Sequence, residues 1–396
     1  MVKELDLPVR ILLGPGPSTV HPRVLKAMSM PLLGHLDPEF LDIMNETTVL
    51  LQGVFETKNH QTMAMSGTGS AGMEAVFVNL LEPGDKVIIC VHGLFGERMV
   101  DIAGRIGCSV VKVESAWGEP IDPGKVKTAL AANPEAKMLA IVQAETSTGV
   151  YQPLEEIAAL VDDAGLLFVV DAVTSLGGME VGVDKYKIDA VYSGTQKNLS
   201  VPPGLSPVSF SERALQVLDS RKNKVQSWYL DLSMIRQYWG QERFYHHTAP
   251  ISMIYALREG LRMIEAEGLK AVTDRHLVLG RSLQAGLTAM GLEMVVKEEK
   301  FRLPNLTSVF IPEGINDLEV RSRLLNEYNI EIGGGLGRYK GKAWRIGLMG
   351  YSCNRGNVIL FLAALEAILS ELSFKLEKGA GIKEAAAHAK CTAESN

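Results

Sequence analysis

Three stretches of this chain carry side chains able to do chemistry, each beside an apolar run. Lys197 closes Tyr192-Ser193-Gly194-Thr195-Gln196-Lys197. A lysine at the end of a buried strand loses hydration, its pKa falls, and the neutral amine becomes a nucleophile. The ordinary alternative is a solvated lysine. Asp171 follows the apolar run Leu166-Leu167-Phe168-Val169-Val170. The carboxyl end of a strand is where open α/β sheets place ligands. Burying a carboxylate there is costly unless it meets a cation or hydrogen-bond donors; capping a turn is the structural alternative. Gly67-Thr68-Gly69-Ser70-Ala71-Gly72 precedes a helical pattern. Backbone N–H groups at such a turn can hold a phosphate, although a tight turn needs no ligand. Together, a Schiff-base lysine, an acidic partner for a pyridinium nitrogen and a phosphate turn are the parts that pyridoxal 5'-phosphate requires.

The same glycines spell G-x-G-x-x-G, so an NAD-dependent oxidoreductase is a rival reading. That fingerprint needs an acidic residue about 20 positions on, at the end of the next strand. Here that strand ends Cys90-Val91-His92, and a helical segment precedes the turn. Both features count against it. No metal site is expected: His246-His247 reads as a pair shaping its own loop. Cys353 could suggest a cysteine desulfurase, but it reads as a packed thiol.

The elements that position these residues follow from periodicity. Helical spacing covers roughly 37–55, 72–81, 96–106 and 153–164; buried strands cover 86–91, 109–114, 138–142 and 166–170, with another starting at 190–192. Strands apolar on both faces and separated by helices predict an α/β fold with a mainly parallel sheet. Beyond about 250 the pattern changes. Long helices are predicted at 252–267 and 271–290, then strands and helices at 306–311, 317–328, 344–348 and 357–372 around a Gly-rich hairpin region at 333–337. That predicts a smaller α+β domain. Residues 375–396 read as a loose terminal helix.

Composition agrees with a globular chain. Of 396 residues 46% are hydrophobic and 22% charged, ordinary for such a protein. With 40 basic and 46 acidic side chains the net charge is −6, so no global positive field gathers nucleic acid. The apolar run at 358–365 stops at Glu366, too short to span a bilayer. Cys90, Cys108, Cys353 and Cys391 form no CxxC pair, which points to a reducing, cytoplasmic setting. The first eight residues lack a hydrophobic signal core.

Eight ordered blocks carry a resemblance: LLGPGPS (12–18), SGTGSAGMEA (66–75), AETSTG (144–149), VVDAVTSLGG (169–178), SGTQK (193–197), YHHT (245–248), EIGGGLG (331–337) and WRIGLMG (344–350). From about residue 12 to 369 the chain resembles the class V aminotransferases, in their alanine–glyoxylate and serine–glyoxylate branch. The resemblance implies PLP fold type I (aspartate-aminotransferase-like). The expected division is an N-terminal arm over 1–20, a large cofactor-binding domain over 21–268, a small C-terminal domain over 269–375 and a tail over 376–396. It implies pyridoxal 5'-phosphate carried by Lys197, with Asp171 on the ring nitrogen. Phe95 would stack on one ring face, where animal members usually have Trp, and Val173 would pack on the other. Thr146 would lie near the ring hydroxyl, while Thr68, Gly69, Ser70 and Gln196 hold the phosphate. Tyr245 and Thr248 would reach it from the neighbouring subunit of a homodimer with shared active sites. Arg345 would grip the substrate carboxylate, with Gly16 beside the substrate. The implied reaction moves the amino group of L-alanine or L-serine to glyoxylate. Within the family the rival is (S)-ureidoglycine–glyoxylate transfer: the GYSC segment (350–353) and extended C-terminus resemble that branch, which tends to have Asn where Tyr245 stands. A non-catalytic homologue would be expected to lack Lys197, Asp171 or Arg345, and all three are present.

Overall fold

The computed structural model describes residues 2–391. Its centre is a seven-stranded sheet with the order Gln61–Ser66, Leu205–Phe210, Ala190–Tyr192, Leu167–Asp171, Met138–Val142, Lys86–Val91, Ser109–Glu114. Leu205–Phe210 runs antiparallel to both neighbours; the other pairings are parallel. The mainly parallel α/β expectation is met.

Alternation along the central strands feeds two cores. Ile88 and Cys90 of one strand face one core, while Val87, Ile89 and Val91 face the other. Burial on both faces explains why these strands are continuous apolar runs. The helices are bounded by local chemistry. Asp37 accepts from Glu39 N (2.9 Å) and Pro38 opens the Pro38–Phe55 helix. Gly107, at φ 94°, ends Leu94–Ile106.

Two strands of the central sheet escaped the periodicity reading. Gln61–Ser66 directly precedes the glycine turn, so the turn follows a strand and not a helical segment. This corrects one ground used against the dinucleotide reading. The other ground stands, because the next strand still leads into His92 with no carboxylate. Leu205–Phe210 was hidden by Pro207.

A second sheet has the order Leu306–Phe310, Ala343–Gly347, Gly333–Gly334, with its own core of Leu283, Trp344, Phe361 and Leu365 among others. Ile11–Leu12 pairs in parallel with Ile330–Glu331, tying the N-terminal segment to this part. The tail helix, Ala380–Cys391, is packed and not loose. Ala385 is buried, and Ser282 Oγ on the Leu269–Ala289 helix donates to Ala385 O at 2.5 Å. Residues 392–396 of the expected tail lie outside the described residues. Among the described residues no helix is long and apolar enough to cross a membrane.

Candidate active site

The carboxyl ends of four neighbouring strands deliver the site, as open parallel sheets do. Lys86–Val91 leads into the Leu94–Ile106 helix, which carries Phe95 in its first turn; Met138–Val142 leads to Thr146; Leu167–Asp171 ends on Asp171; Ala190–Tyr192 leads to Lys197. A cavity of about 130 Å³ is lined by Thr68, Gly69, Ser70, Gln196, Phe95 and Val173, together with Asp171 and Lys197. Eight of the expected residues are therefore brought together. A larger cleft of about 620 Å³, lined by Trp117, Phe310 and Tyr339, contains neither Lys197 nor Asp171. Volume alone is a poor guide here.

Lys197 is 9% exposed, and its Nζ donates to Pro15 O. Burial and the positive field of Arg345 lower its pKa to about 8, against an upward pull from Asp171. Gly16 backs onto this amine: at φ 106°, a Cβ there would sit 2.7 Å from Nζ. Asp171 is 3% exposed, and its Oδ1 accepts from Val173 N at 2.8 Å. Burial pushes it up to about 7. A cationic partner would pull it back down.

The glycine turn opens the Gly69–Leu80 helix. Thr68 makes no side-chain capping bond there, so the leading amides remain available to an acceptor. A Cβ on Gly69 would stand 3.4 Å from Ser193 O and Val173 Cγ2. The Gln196 amide has a buried oxygen without a partner among the described residues.

Arg345, 6% exposed, sits on the middle strand of the small sheet, paired with Ser308 and Gly333. Its Nε donates to Gly334 O (2.8 Å) and its Nη1 to Thr146 O (3.1 Å). Burial lowers it to about 10, still a cation at neutral pH. Thr146 Oγ1 meets Thr174 Oγ1 at 2.5 Å. Tyr245 and Thr248 are set apart. Both are exposed, their hydroxyls 3.4 Å from each other, and they do not line the cavity of their own chain. The loop they belong to is pinned through its histidines: His246 Nδ1 meets His247 Nδ1 at 2.8 Å, and His247 Nε2 meets Ser66 Oγ at 2.6 Å.

Sequence reasoning missed two neighbours. Glu145 is fully buried and accepts from Ser147 N (3.0 Å), Ser147 Oγ (2.6 Å) and Phe95 N (3.2 Å). It joins the segment of Thr146 to the start of the Phe95 helix. Arg98 lines the cavity, its Nη1 3.3 Å from Ser70 Oγ and its guanidinium 4.9 Å from the centre of the Phe95 ring. Its spacing from Phe95 on one helix, i to i+3, was the available signal.

These features fit pyridoxal phosphate. The uncapped amides at the start of the Gly69–Leu80 helix suit a phosphate end, Asp171 is a buried carboxylate facing no ion-pair partner among the described residues, and Lys197 is a desolvated amine.

The profile of the family described as Aminotransferase class-V matches residues 12–346. An alanine–glyoxylate aminotransferase of Drosophila melanogaster is 41% identical over 93% of this chain and 94% of its own length. The crystal structure of an alanine–glyoxylate aminotransferase from Nostoc sp. superposes with a TM-score of 0.91 at 48% identity, covering 93% of this chain and 97% of that one. That of a ureidoglycine–glyoxylate aminotransferase from Bacillus subtilis gives 0.95 at 42% identity, covering 98% and 100%.

Proposed function

The chain belongs to the class V aminotransferases, enzymes dependent on pyridoxal phosphate, and on that premise we propose that it moves the amino group of L-alanine or L-serine to glyoxylate, giving glycine and pyruvate or hydroxypyruvate. The observation that carries this reading is one buried site holding a depressed lysine amine, a carboxylate and a carboxylate-seeking arginine: Lys197, Asp171 and Arg345.

When bound, pyridoxal phosphate supplies an electron sink for negative charge developing at a substrate α-carbon. The protein's own residues do the rest. Asp171 would hold the ring nitrogen in its protonated form. Thr68, Gly69, Ser70 and Gln196 would hold the phosphate, Phe95 and Val173 the ring faces, and Thr146 the ring hydroxyl. Arg345 orients each incoming acid by its carboxylate, the two-pronged contact for which a guanidinium is suited. Lys197 would hold the cofactor through its amine, and Nζ, when free, would take the substrate's α-proton and return it. Amino donor and 2-oxo acid acceptor use the same carboxylate grip in turn. We place Tyr245 and Thr248 at the phosphate of a second copy's cavity, which makes the working unit a homodimer. We place that dimer in the cytoplasm, where the free thiols Cys90, Cys108 and Cys353 stay reduced.

The depressed lysine gives a pH prediction. A neutral amine is needed to attack an aldehyde, and Lys197 is neutral above about pH 8. Uptake of pyridoxal phosphate by cofactor-free full-length chain should accelerate about tenfold between about pH 7 and pH 9 and then level off. An ordinary lysine would keep accelerating towards about pH 10.4. Stopped-flow absorbance distinguishes the two profiles.

One observation favours a second donor: the ureidoglycine-named structure covers essentially the whole chain. Tyr245, in the YHHT block, weighs for alanine or serine. Alanine, serine and ureidoglycine should be compared at fixed glyoxylate. The proposal expects the largest kcat/KM for alanine or serine; a largest value for ureidoglycine transfers the assignment.

A further inference from the structure

We propose that Arg98 is the counter-ion of the cofactor's phosphate group, and that Phe95 holds its guanidinium in place. The inference rests on the cofactor reading above. It starts from charge. A phosphate monoester carries about −1.5 to −2 charges at neutral pH. A helix N-terminus answers with roughly +0.5. Thr68, Ser70 and Gln196 supply hydrogen bonds but no charge, and Tyr245 and Thr248 are neutral as well. At least one positive charge is missing. Lys197 is committed elsewhere, since its Nζ donates to Pro15 O and would be bonded to the cofactor's aldehyde carbon.

Among the described residues lining the cavity, Arg98 is the other cation. It stands on the phosphate side: Nη1 is 3.3 Å from the hydroxyl of Ser70, at the first turn of the Gly69–Leu80 helix. Its position is set from a second direction, with the guanidinium 4.9 Å from the Phe95 ring centre, a cation–π distance. The side chain makes no ion pair among the described residues, so its charge is uncommitted. Phe95 lies one helical turn before it on the same helix, whose start is clamped by the buried Glu145 carboxylate. The helix therefore presents Arg98 from a fixed base.

The test is a fluorescence titration of cofactor-free full-length chain with two ligands, pyridoxamine 5'-phosphate and phosphate-free pyridoxamine. Neither can link covalently to Lys197. Arg98→Gln should lower the ratio of the two affinities by about 10- to 100-fold, the scale of one charge-assisted hydrogen bond. Arg98→Lys should recover part of the ratio. The salt dependence of pyridoxamine 5'-phosphate binding should flatten in Arg98→Gln. Phe95→Leu, which keeps the charge but loses the ring that holds the guanidinium, should weaken both ligands and also lower the ratio, by less than Arg98→Gln does; an unchanged ratio there overturns the role of Phe95. An unchanged ratio in Arg98→Gln overturns the proposal while leaving the cofactor reading intact. A parent chain that binds neither ligand overturns both.

Discussion

Replacing Lys197 with alanine is expected to abolish the visible absorption of lysine-bound cofactor and to lower kcat by about a thousandfold or more. The size follows from two lost roles. Positioned proton transfer contributes about 10²- to 10⁴-fold, and the covalent link that splits one difficult exchange into two easier ones is lost as well. The surroundings of Nζ make it suited to both. Burial and Arg345 hold its pKa near 8, so near neutral pH the amine is present in both protonation states, as a group that takes and returns a proton requires. Lys197→Arg is the informative control, because it retains positive charge beside Asp171 but has no amine to become neutral. If the amine is what matters, Lys197→Arg is as inactive as Lys197→Ala, and added small amines restore part of the alanine variant's rate. Wild-type turnover in either variant contradicts the assignment. Steady-state kinetics and absorbance spectra on the same samples decide it, and circular dichroism confirms that both variants fold.

The parts of this fold legible in the sequence were those where burial on both faces wrote an unbroken apolar run. Lys86–Val91, Met138–Val142 and Ala190–Tyr192 lie where periodicity placed them, and Leu167–Asp171 is displaced by one residue. Leu205–Phe210 was not legible, because Pro207 and two serines argue against a strand interior. The structure shows why the proline is tolerated. It lies one residue beyond the stretch paired with Ala190–Tyr192, and its carbonyl still accepts from Ser193 N at 2.8 Å. The same distinction holds at the site. Asp171 and Lys197 could be singled out because each follows an apolar strand. Glu145 could not, since its meaning depends on Phe95, 50 residues away in the chain. The helix at Ala380–Cys391 read as loose because its composition is polar and alanine-rich. Its burial is created by the facing helix, where a Cβ on Gly286 would sit 2.8 Å from Gly381 O.

Arg345→Gln is expected to cost about 10²- to 10⁴-fold in kcat/KM for both the amino donor and glyoxylate. A two-pronged contact with a carboxylate supplies two charge-assisted hydrogen bonds of about 1.5–3 kcal/mol each, and each ~1.4 kcal/mol is tenfold in rate. A confounding term has to be separated. Arg345 also donates to Gly334 O and Thr146 O, and leaving buried acceptors unpaired costs about 1–3 kcal/mol each. Activity could thus fall because the small sheet shifts against the Thr146 segment, with the substrate contact irrelevant. A substrate cycle isolates the contact. An acceptor aldehyde without a carboxylate removes the same interaction from the ligand side, so parent and variant should turn it over at similar kcat/KM, while glyoxylate separates them by the full factor. Arg345→Lys should fall between, because lysine keeps the charge but lacks the planar fork. All three proteins should still carry the lysine-bound cofactor, since Lys197 and Asp171 are intact, with the pH at which its absorbance titrates moved upward in Arg345→Gln because the positive field on Lys197 is gone. Should the carboxylate-free aldehyde lose as much as glyoxylate does, the arginine would be a structural strut between the two sheets, and the carboxylate would have to be held elsewhere.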